Sequence, residues 1–423
     1  MNFRACETHR AMRARLGAAI RRGRLAVIDI GSSKITCLIL RVDPERVGGP
    51  EAGDAGPTPF GAVEVVAECT TQSRGIRRGE ITDMDAAARA VRHAVLSAEK
   101  AAQPAIERVD HALVAFSGGR PESFSTVGEV ETETGQVTAR DISAALAAAP
   151  EPPVGEGRAI LHAQPVEISL DYRGGLTDPR GMTGRHLSIA LHVLAVDAHP
   201  LGNVMELLRQ CDLDLCGVVS APYAAGLAAL VEDEQRTGAV CIDMGASGTG
   251  VSLFLRDHLI CAERIRFGGD HVTSDIAAGL MLRHALAERL KTVHGGVLAT
   301  AADDRELLDA PRIGEEEAPE PRRISRGMLI GVIRPRVEEV FRTLHARLVA
   351  LGVGEMPGCA VVLTGGACQM PGLDDCVTRI LGRRPRIGRP MRIAGLDQAL
   401  SGPDYATVVG LAMYAVRPHD ELW

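Results

Sequence analysis

Apolar and polar residues follow two alternating periods along this chain. From residue 25, LAVIDIGSSKITCLILR forms two almost unbroken apolar runs split by a short polar turn, the pattern of a buried hairpin. Residues 42–60 are rich in Gly and Pro and read as a loop, and 61–71 as a third strand. Over 83–102, DMDAAARAVRHAVLSAEKAA switches to helical spacing behind an Asp start signal, and 109–117 returns to strand. Residues 120–195 are less regular. Short strands, a helix near 140–149 and the Pro-containing break EPPVGEG there predict a small inserted subdomain. A helix over 200–211 and a strand over 215–220 follow.

The opening pattern then recurs. Residues 238–260, GAVCIDMGASGTGVSLFLRDHLI, are again strand, Gly-rich turn and strand, with D-x-G in both turns. Beyond them, 271–292 reads as helix, 297–325 as a charged loop, 328–351 as helix and 360–364 as strand. Residues 365–372, GGACQMPG, form a Gly-rich turn that opens another helix. Strands alternating with helices imply an α/β protein, and the repeated hairpin implies two related domains facing one another. Residues 1–24 look separate from this fold.

Composition narrows the function classes. At 423 residues the chain is long enough for two or more domains. Hydrophobic residues are 46% and charged residues 24%, as in soluble globular proteins. Aromatics are only 3%, so Ala, Val, Leu and Ile must build the core, and stacking platforms for single-stranded nucleic acid are not expected. The net charge of −7 argues against nonspecific nucleic-acid binding. Ten cysteines without a C-x-x-C pair or Cys/His metal spacing read as buried thiols of a reducing cytosol. The histidines, such as His192 and His199 or His284 and His294, likewise lack metal spacing. No apolar run approaches the roughly 18–20 residues that span a bilayer, and no secretory signal is present, so a cytoplasmic location is expected.

Three turns carry the candidate chemistry. In Asp29-Ile30-Gly31-Ser32-Ser33-Lys34, Gly31 permits a tight turn, and backbone N–H groups with the Ser hydroxyls suit phosphate oxygens. Lys34 adds a cation. Asp29, at a strand end, suits a hydrated Mg²⁺, which prefers carboxylates, waters and phosphates. Asp243-Met244-Gly245-Ala246-Ser247-Gly248-Thr249-Gly250 repeats the arrangement, so two facing hairpins can clamp a polyphosphate with one Mg²⁺ held through water by Asp29 and Asp243. In Leu363-Thr364-Gly365-Gly366-Ala367, an apolar strand delivers two glycines at its C-terminal end, where α/β sheets bind ligands.

In this order the three turns resemble phosphate 1, phosphate 2 and the adenosine motif of the actin/chaperone/hexokinase superfamily. The runs SRGIRRG (73–79), Ser117-Gly118, GGDHVTSDIA (268–277), VIRPR (332–336) and VLTGG (362–366) are similar to the bacterial cell-division family FtsA. The resemblance covers about residues 25–415. It implies an actin-like (ribonuclease H-like) two-domain ATP-binding fold with an inserted subdomain. The implied division is 25–107, 193–225 and 389–416 as subdomain 1A, 108–192 as the inserted 1C, 226–264 and 328–388 as 2A, and 265–327 as 2B, behind a basic extension over 1–24. It further implies ATP and Mg²⁺ as ligands and adenosine contacts from Arg336, Glu339, Gly365, Gly366 and Ala367. The implied partners are the C-terminal tail of FtsZ, docked around 265–327, later division proteins, and further copies of the chain in a filament. The implied place of action is the cytoplasmic face of the inner membrane at the division site. A small-molecule kinase or phosphatase, or a PilM-like scaffold, is the rival on the same fold.

The chain departs from that pattern at three places. Gly248 stands where the family has a Thr, which costs one hydroxyl contact of about 0.5–1.5 kcal/mol unless Ser247 or Thr249 replaces it. Ala221-Pro222-Tyr223-Ala224-Ala225 lacks the Glu that orients water in chaperone ATPases, so no catalytic residue is assigned and slow hydrolysis is expected. Residues 417–423, RPHDELW, are acidic and too short for the amphipathic membrane helix common in the family. Residues 1–24 offer a substitute. Seven arginines face one acid there, Phe3 precedes an i, i+4 stripe of Met12, Leu16 and Ile20, and the expected membrane contact is weak and reversible.

Overall fold

The structure is a computed structural model and describes residues 6–47, 59–315, 322–356 and 358–417. Phe3, residues 48–58 of the 42–60 loop, residues 316–321 of the charged 297–325 segment and residues 418–423 lie outside the described residues.

Two five-stranded sheets of one design form the frame. The first comprises β1 (Arg24–Ile30), β2 (Lys34–Val42), β3 (Val63–Gln72), β6 (His111–Phe116) and β10 (Asp214–Ser220), in the order β10-β6-β1-β2-β3. The β1-β2-β3 meander is antiparallel, whereas β6 and β10 join it in parallel. A two-stranded hairpin, β4 (Ile76–Arg77) with β5 (Glu80–Ile81), and α2 (Met84–Ala102) lead from β3 to β6. Asp83 caps α2 by accepting from the Ala86 amide. The second sheet comprises β11 (Ala239–Met244), β12 (Thr249–Leu255), β13 (His258–Ile265), β16 (Ala360–Thr364) and β17 (Arg386–Ile387). Its order β13-β12-β11-β16-β17 repeats the three antiparallel and two parallel strands. The central strands are near-continuous apolar runs because helices cover both faces. Between the sheets lie α5 (Ala221–Ala229), buried along its whole length, and α11 (Ala406–Ala415), which packs against it. Cys37, Cys216, Cys241, Cys261, Cys359, Cys368 and Cys376 are buried free thiols.

Each domain carries an insertion. In the first, β7 (Glu122–Glu131), α3 (Ala139–Ala148), β8 (Arg158–Leu170) and β9 (His186–Asp197) make a separate antiparallel sheet of order β7-β9-β8 with its own small core. These strands are long, not short as their sequence implies. Pro165 and two register shifts in β8 break the period-2 pattern that would have marked it. β6, assigned from sequence to the inserted 108–192 segment, is instead a central strand of the first sheet, so the insertion begins after Phe116 and its last strand runs to Asp197. The chain then returns through α4 (Ala198–Gln210). In the second domain, α6 (Glu232–Thr237) precedes the hairpin, and the insertion holds α7 (Gly269–Leu280), α8 (His284–His294) and the short pair β14 (Leu307–Asp309) with β15 (Arg323–Ser325). The single helix expected over 271–292 is thus two, parted at Met281, whose φ of 54 is left-handed. The long α9 (Arg326–Ala350) and α10 (Leu373–Leu381) complete the domain.

The N-terminus corrects a second expectation. Residues 6–21 form α1 (Cys6–Arg21), docked on β10, β1 and β6 as part of the body. Met12, Leu16 and Ile20, the stripe read as membrane-facing, are buried with Ala19 in the core of the first domain. Arg15 donates to the Leu215 carbonyl at 3.3 Å. An amphipathic stripe has no address of its own, and here a sheet face covers it. No helix among the described residues is long and apolar enough to cross a membrane.

Replacing Leu16 by Ala is therefore expected to cost about 2–5 kcal/mol of stability. The exposed Arg10→Ala should stay within about 0.5 kcal/mol. Urea unfolding of both variants checks this, and equal midpoints would show that α1 does not belong to the core.

Candidate functional site

The two hairpin turns meet across a cleft of about 570 Å³ between the domains. In the first, Gly31 N donates to the Lys34 carbonyl at 3.1 Å and closes the turn between β1 and β2. In the second, Gly245 N donates to the Gly248 carbonyl at 3.0 Å between β11 and β12. The two aspartates occupy equivalent places in their sheets. Asp29 pairs with Thr36 and Ala115, and Asp243 with Gly250 and Thr364. Both therefore stand at the C-terminal end of a central strand, where α/β sheets open to ligands.

The loops touch directly. Ser32 Oγ donates to Ser247 Oγ at 2.9 Å and accepts from Gly79 N at 2.9 Å. The second loop is also braced from behind, since Gly269 N donates to the Gly245 carbonyl at 3.0 Å and Asp270 N to the Ala246 carbonyl at 2.8 Å. That contact needs a glycine at 268, because a Cβ there would lie 2.5–2.6 Å from Gly245 O, Ala246 O and Gly248 N. Gly365 has φ +84, and a Cβ there would meet Asp243 Oδ1 at 2.4 Å. The third turn therefore lies directly against the Asp243 carboxylate.

Asp29 and Asp243 line the floor of the cleft, reaching solvent through it and otherwise enclosed by protein. Desolvation raises the Asp29 carboxyl to about 6, against the partial opposition of Lys34. Desolvation, and then the charge of Asp29, raise Asp243 to about 7. Lys34 Nζ is held 2.5 Å from Asp404 Oδ2 and lies 3.5 Å from the centre of the Tyr405 ring. Two enclosed like charges, with Lys34 committed to Asp404, suit a divalent ion. The described residues contain no cluster of three or more His, Cys, Asp or Glu fit to hold a metal. Such an ion must complete its shell with water and ligand oxygens, as Mg²⁺ commonly does.

Most residues expected from sequence line this cleft: Asp29, Gly31, Ser32, Ser33, Lys34, Asp243, Gly245, Ala246, Ser247, Gly248, Gly365, Gly366 and Ala367. Three do not. Thr249 is fully buried, with its hydroxyl donating to the Phe267 carbonyl at 2.7 Å, so it cannot replace the hydroxyl missing at 248. Arg336 points from α9 to Asp275 on α7 at 2.6 Å and also pairs with Glu339 at 2.5 Å. Neither Arg336, expected with Glu339 to contact adenosine, nor Glu339 itself lines the cleft, because Asp275 and Glu339 hold the guanidinium. Two further polar residues stand on the side of the third turn. Glu288 and Lys291 of α8 line the cleft, and Lys291 Nζ donates to Glu288, to Thr273 Oγ1 at 2.8 Å and to the Gly269 carbonyl at 3.2 Å. The sequence signal for them was E-x-x-K on one helix face just before Gly295-Gly296. Sequence reading also missed Asp404, Thr407 and Arg264, which carry no motif. Ala221 and Pro222, the N-terminal end of α5, form a cleft wall without a carboxylate.

Comparison with known proteins agrees with this geometry. The family described as "Cell division protein FtsA" matches residues 240–410, and the "SHS2 domain inserted in FTSA" matches 118–195. The cell division protein FtsA of Rhizobium meliloti (strain 1021) is 38% identical over 390 residues, 92% of this chain and 86% of its own. That of Escherichia coli (strain K12) is 27% identical over 399 residues, 93% and 90% of the two chains. Among solved structures, a chain of the PilM-PilN type IV pilus biogenesis complex superposes with TM-score 0.58 at 18% identity, covering 93% of this chain and 98% of that one. MreB 5 of Spiroplasma citri, bound to AMPPNP, superposes with TM-score 0.53 at 14% identity, covering 92% and 95%. These two likenesses show the actin-like fold.

The raised carboxyls set a pH dependence. In the folded chain Asp29 and Asp243 keep their protons to about pH 6 and 7, whereas unfolded they ionise near 4. Between those limits the folded state binds more protons, so raising the pH through this window removes stability. Asp243→Asn should flatten that fall. Urea midpoints from pH 5 to 8 test it, and parallel slopes for wild type and variant would refute it.

Proposed function

The chain belongs to the FtsA family of cell-division proteins and has its actin-like fold, and on that premise we propose that it binds ATP with Mg²⁺ between its two domains. The observation that carries this reading is the pair of D-x-G turns meeting over Asp29 and Asp243. Ser32, Ser33, the Gly245–Gly248 amides and Lys34 suit the phosphates. Gly365, Gly366, Ala367, Glu288 and Lys291 suit the nucleoside. Bound Mg²⁺ neutralises the phosphates and both aspartates together. The fold neighbour bound to AMPPNP supports the same ligand class.

ATP acts here as an assembly ligand. The methyl of Ala221 gives that part of the cleft wall no group to orient or deprotonate water, Glu288 and Asp404 are committed to Lys291 and Lys34, and Asp270 is the further carboxylate that lines the cleft beside Asp29 and Asp243. In this reading the ATP-bound chain polymerises with copies of itself. It links the tail of FtsZ to the cytoplasmic face of the inner membrane at the division site and recruits later division proteins. The tail docks on the insertion of the second domain. That unit exposes Met281, Val293, Leu307 and Ile313, and Ile313 N donates to the Met281 carbonyl at 3.0 Å, so these two lie side by side. Contact of residues 1–24 with an anionic surface rests on the outward arginines of α1, because its apolar stripe is buried.

Purified chain should bind ATP only with Mg²⁺ and turn it over more slowly than about 1 s⁻¹, the low end for enzymes. It should also bind the C-terminal peptide of FtsZ from the same organism. Ile313→Asp should weaken that binding about tenfold, the equivalent of one lost apolar contact. Fluorescence anisotropy of labelled peptide and phosphate release measure the two. Rapid turnover, or phosphorylation of a metabolite without peptide binding, would favour a kinase of the same fold.

A further inference from the structure

Arg264, at the end of β13, lines the cleft although no motif marks it. Its guanidinium lies over Gly248, where an added Cβ would sit 2.7 Å from both Nε and Nη2. Nη2 donates to Ser247 Oγ at 3.1 Å and to the Arg78 carbonyl at 3.1 Å, so one cation touches the second phosphate loop and the opposite domain. Both acceptors are neutral oxygens. Desolvation acts most on the guanidinium and lowers its affinity for its proton, and the charges of Glu80, Arg266 and Asp243 act on it through space. Among the described residues, Nε and Nη1 donate to no partner. A half-buried guanidinium with spare donors and no carboxylate against it calls for an anion.

We infer that Arg264 reads the terminal phosphate of a bound nucleoside triphosphate, taking the place of the hydroxyl that Gly248 lacks; this rests on the nucleotide reading above. The guanidinium presents a planar fork that matches phosphate oxygens better than one hydroxyl does. A side chain at 248 would push the Arg264 guanidinium out of this position, so the arrangement seen here depends on glycine at 248. A diphosphate, which lacks the outermost group, leaves Arg264 as it stands. The residue therefore favours the triphosphate specifically, which uniform contacts to the shared phosphates cannot do.

Calorimetric titration of the full chain with Mg²⁺ and either AMPPNP or ADP tests this. Wild type is expected to prefer AMPPNP. Arg264→Gln should weaken AMPPNP about tenfold or more, the scale of one charge-assisted hydrogen bond, and change ADP less than about threefold. Gly248→Ala, which keeps the loop amide, displaces the guanidinium with Arg264 intact and should weaken AMPPNP more than ADP. The double variant Gly248→Thr with Arg264→Ala should recover much of the AMPPNP affinity, and both it and Gly248→Ala decide the matter if Arg264→Gln fails to fold. Equal loss for both nucleotides, or none for either, would overturn the role of Arg264 and leave the nucleotide site standing. A wild-type chain that binds neither nucleotide would overturn the site itself.

Discussion

Two carboxylates of like charge face one cleft, and much of this structure is an arrangement for keeping them there. Asp29 and Asp243 come from different domains, yet each sits at the same register position of its own sheet. Neither can move without disturbing a central strand. Enclosure raises both above the usual carboxylate range, and the charge of Asp29 makes ionisation of Asp243 harder still. A divalent cation removes that conflict, and a polyphosphate supplies the oxygens that complete the cation's shell. The site is thus least comfortable when both acids are charged and no cation is between them, which ties ligand binding to the closeness of the domains.

The contacts that hold the domains together in the cleft are few and polar. Ser32 meets Ser247, Arg264 meets the Arg78 carbonyl, and Thr407 Oγ1 donates to Asp243 Oδ2 at 3.5 Å. The first two stand where phosphates would compete for the same donors. A bound nucleotide exchanges these protein contacts for its own, so its effect on domain geometry is a difference between two sets of hydrogen bonds and not the sum of one set. Each such bond contributes only about 0.5–1.5 kcal/mol when neutral. Shifts between open and closed arrangements therefore lie within reach of one ligand.

Local pattern carried much of the architecture into the sequence. The apolar runs on either side of Gly31 and Gly245 announce their hairpins because both faces of those strands are buried. The D-x-G repeat announced the duplication. What failed was information about partners distant in sequence. The stripe of α1 is equally suited to a bilayer and to a sheet, and only the exposed face of β10, some two hundred residues away, decides between them. β6 is a strand by any local measure, but its sheet is set by pairing with β1 and β10. Arg336 was assigned to the ligand by resemblance, and Asp275 holds it elsewhere. Arg264 was invisible because its meaning lies in the emptiness above Gly248, which no spacing encodes.

The same cleft that offers so many groups for holding a nucleotide offers little for cleaving it. Hydrolysis needs a water aimed at the terminal phosphorus and a base to receive its proton, and the wall at Ala221 and Pro222 is apolar. Binding energy spent equally on ground state and transition state leaves the rate of chemistry unchanged. If, as we propose, the chain holds ATP as an assembly ligand, contacts shared by ground state and transition state leave the chemical rate where it is, and the lifetime of the nucleotide-bound form is set by dissociation and by contacts with neighbouring copies. Partners that alter those contacts would then control assembly without any change at the chemical step.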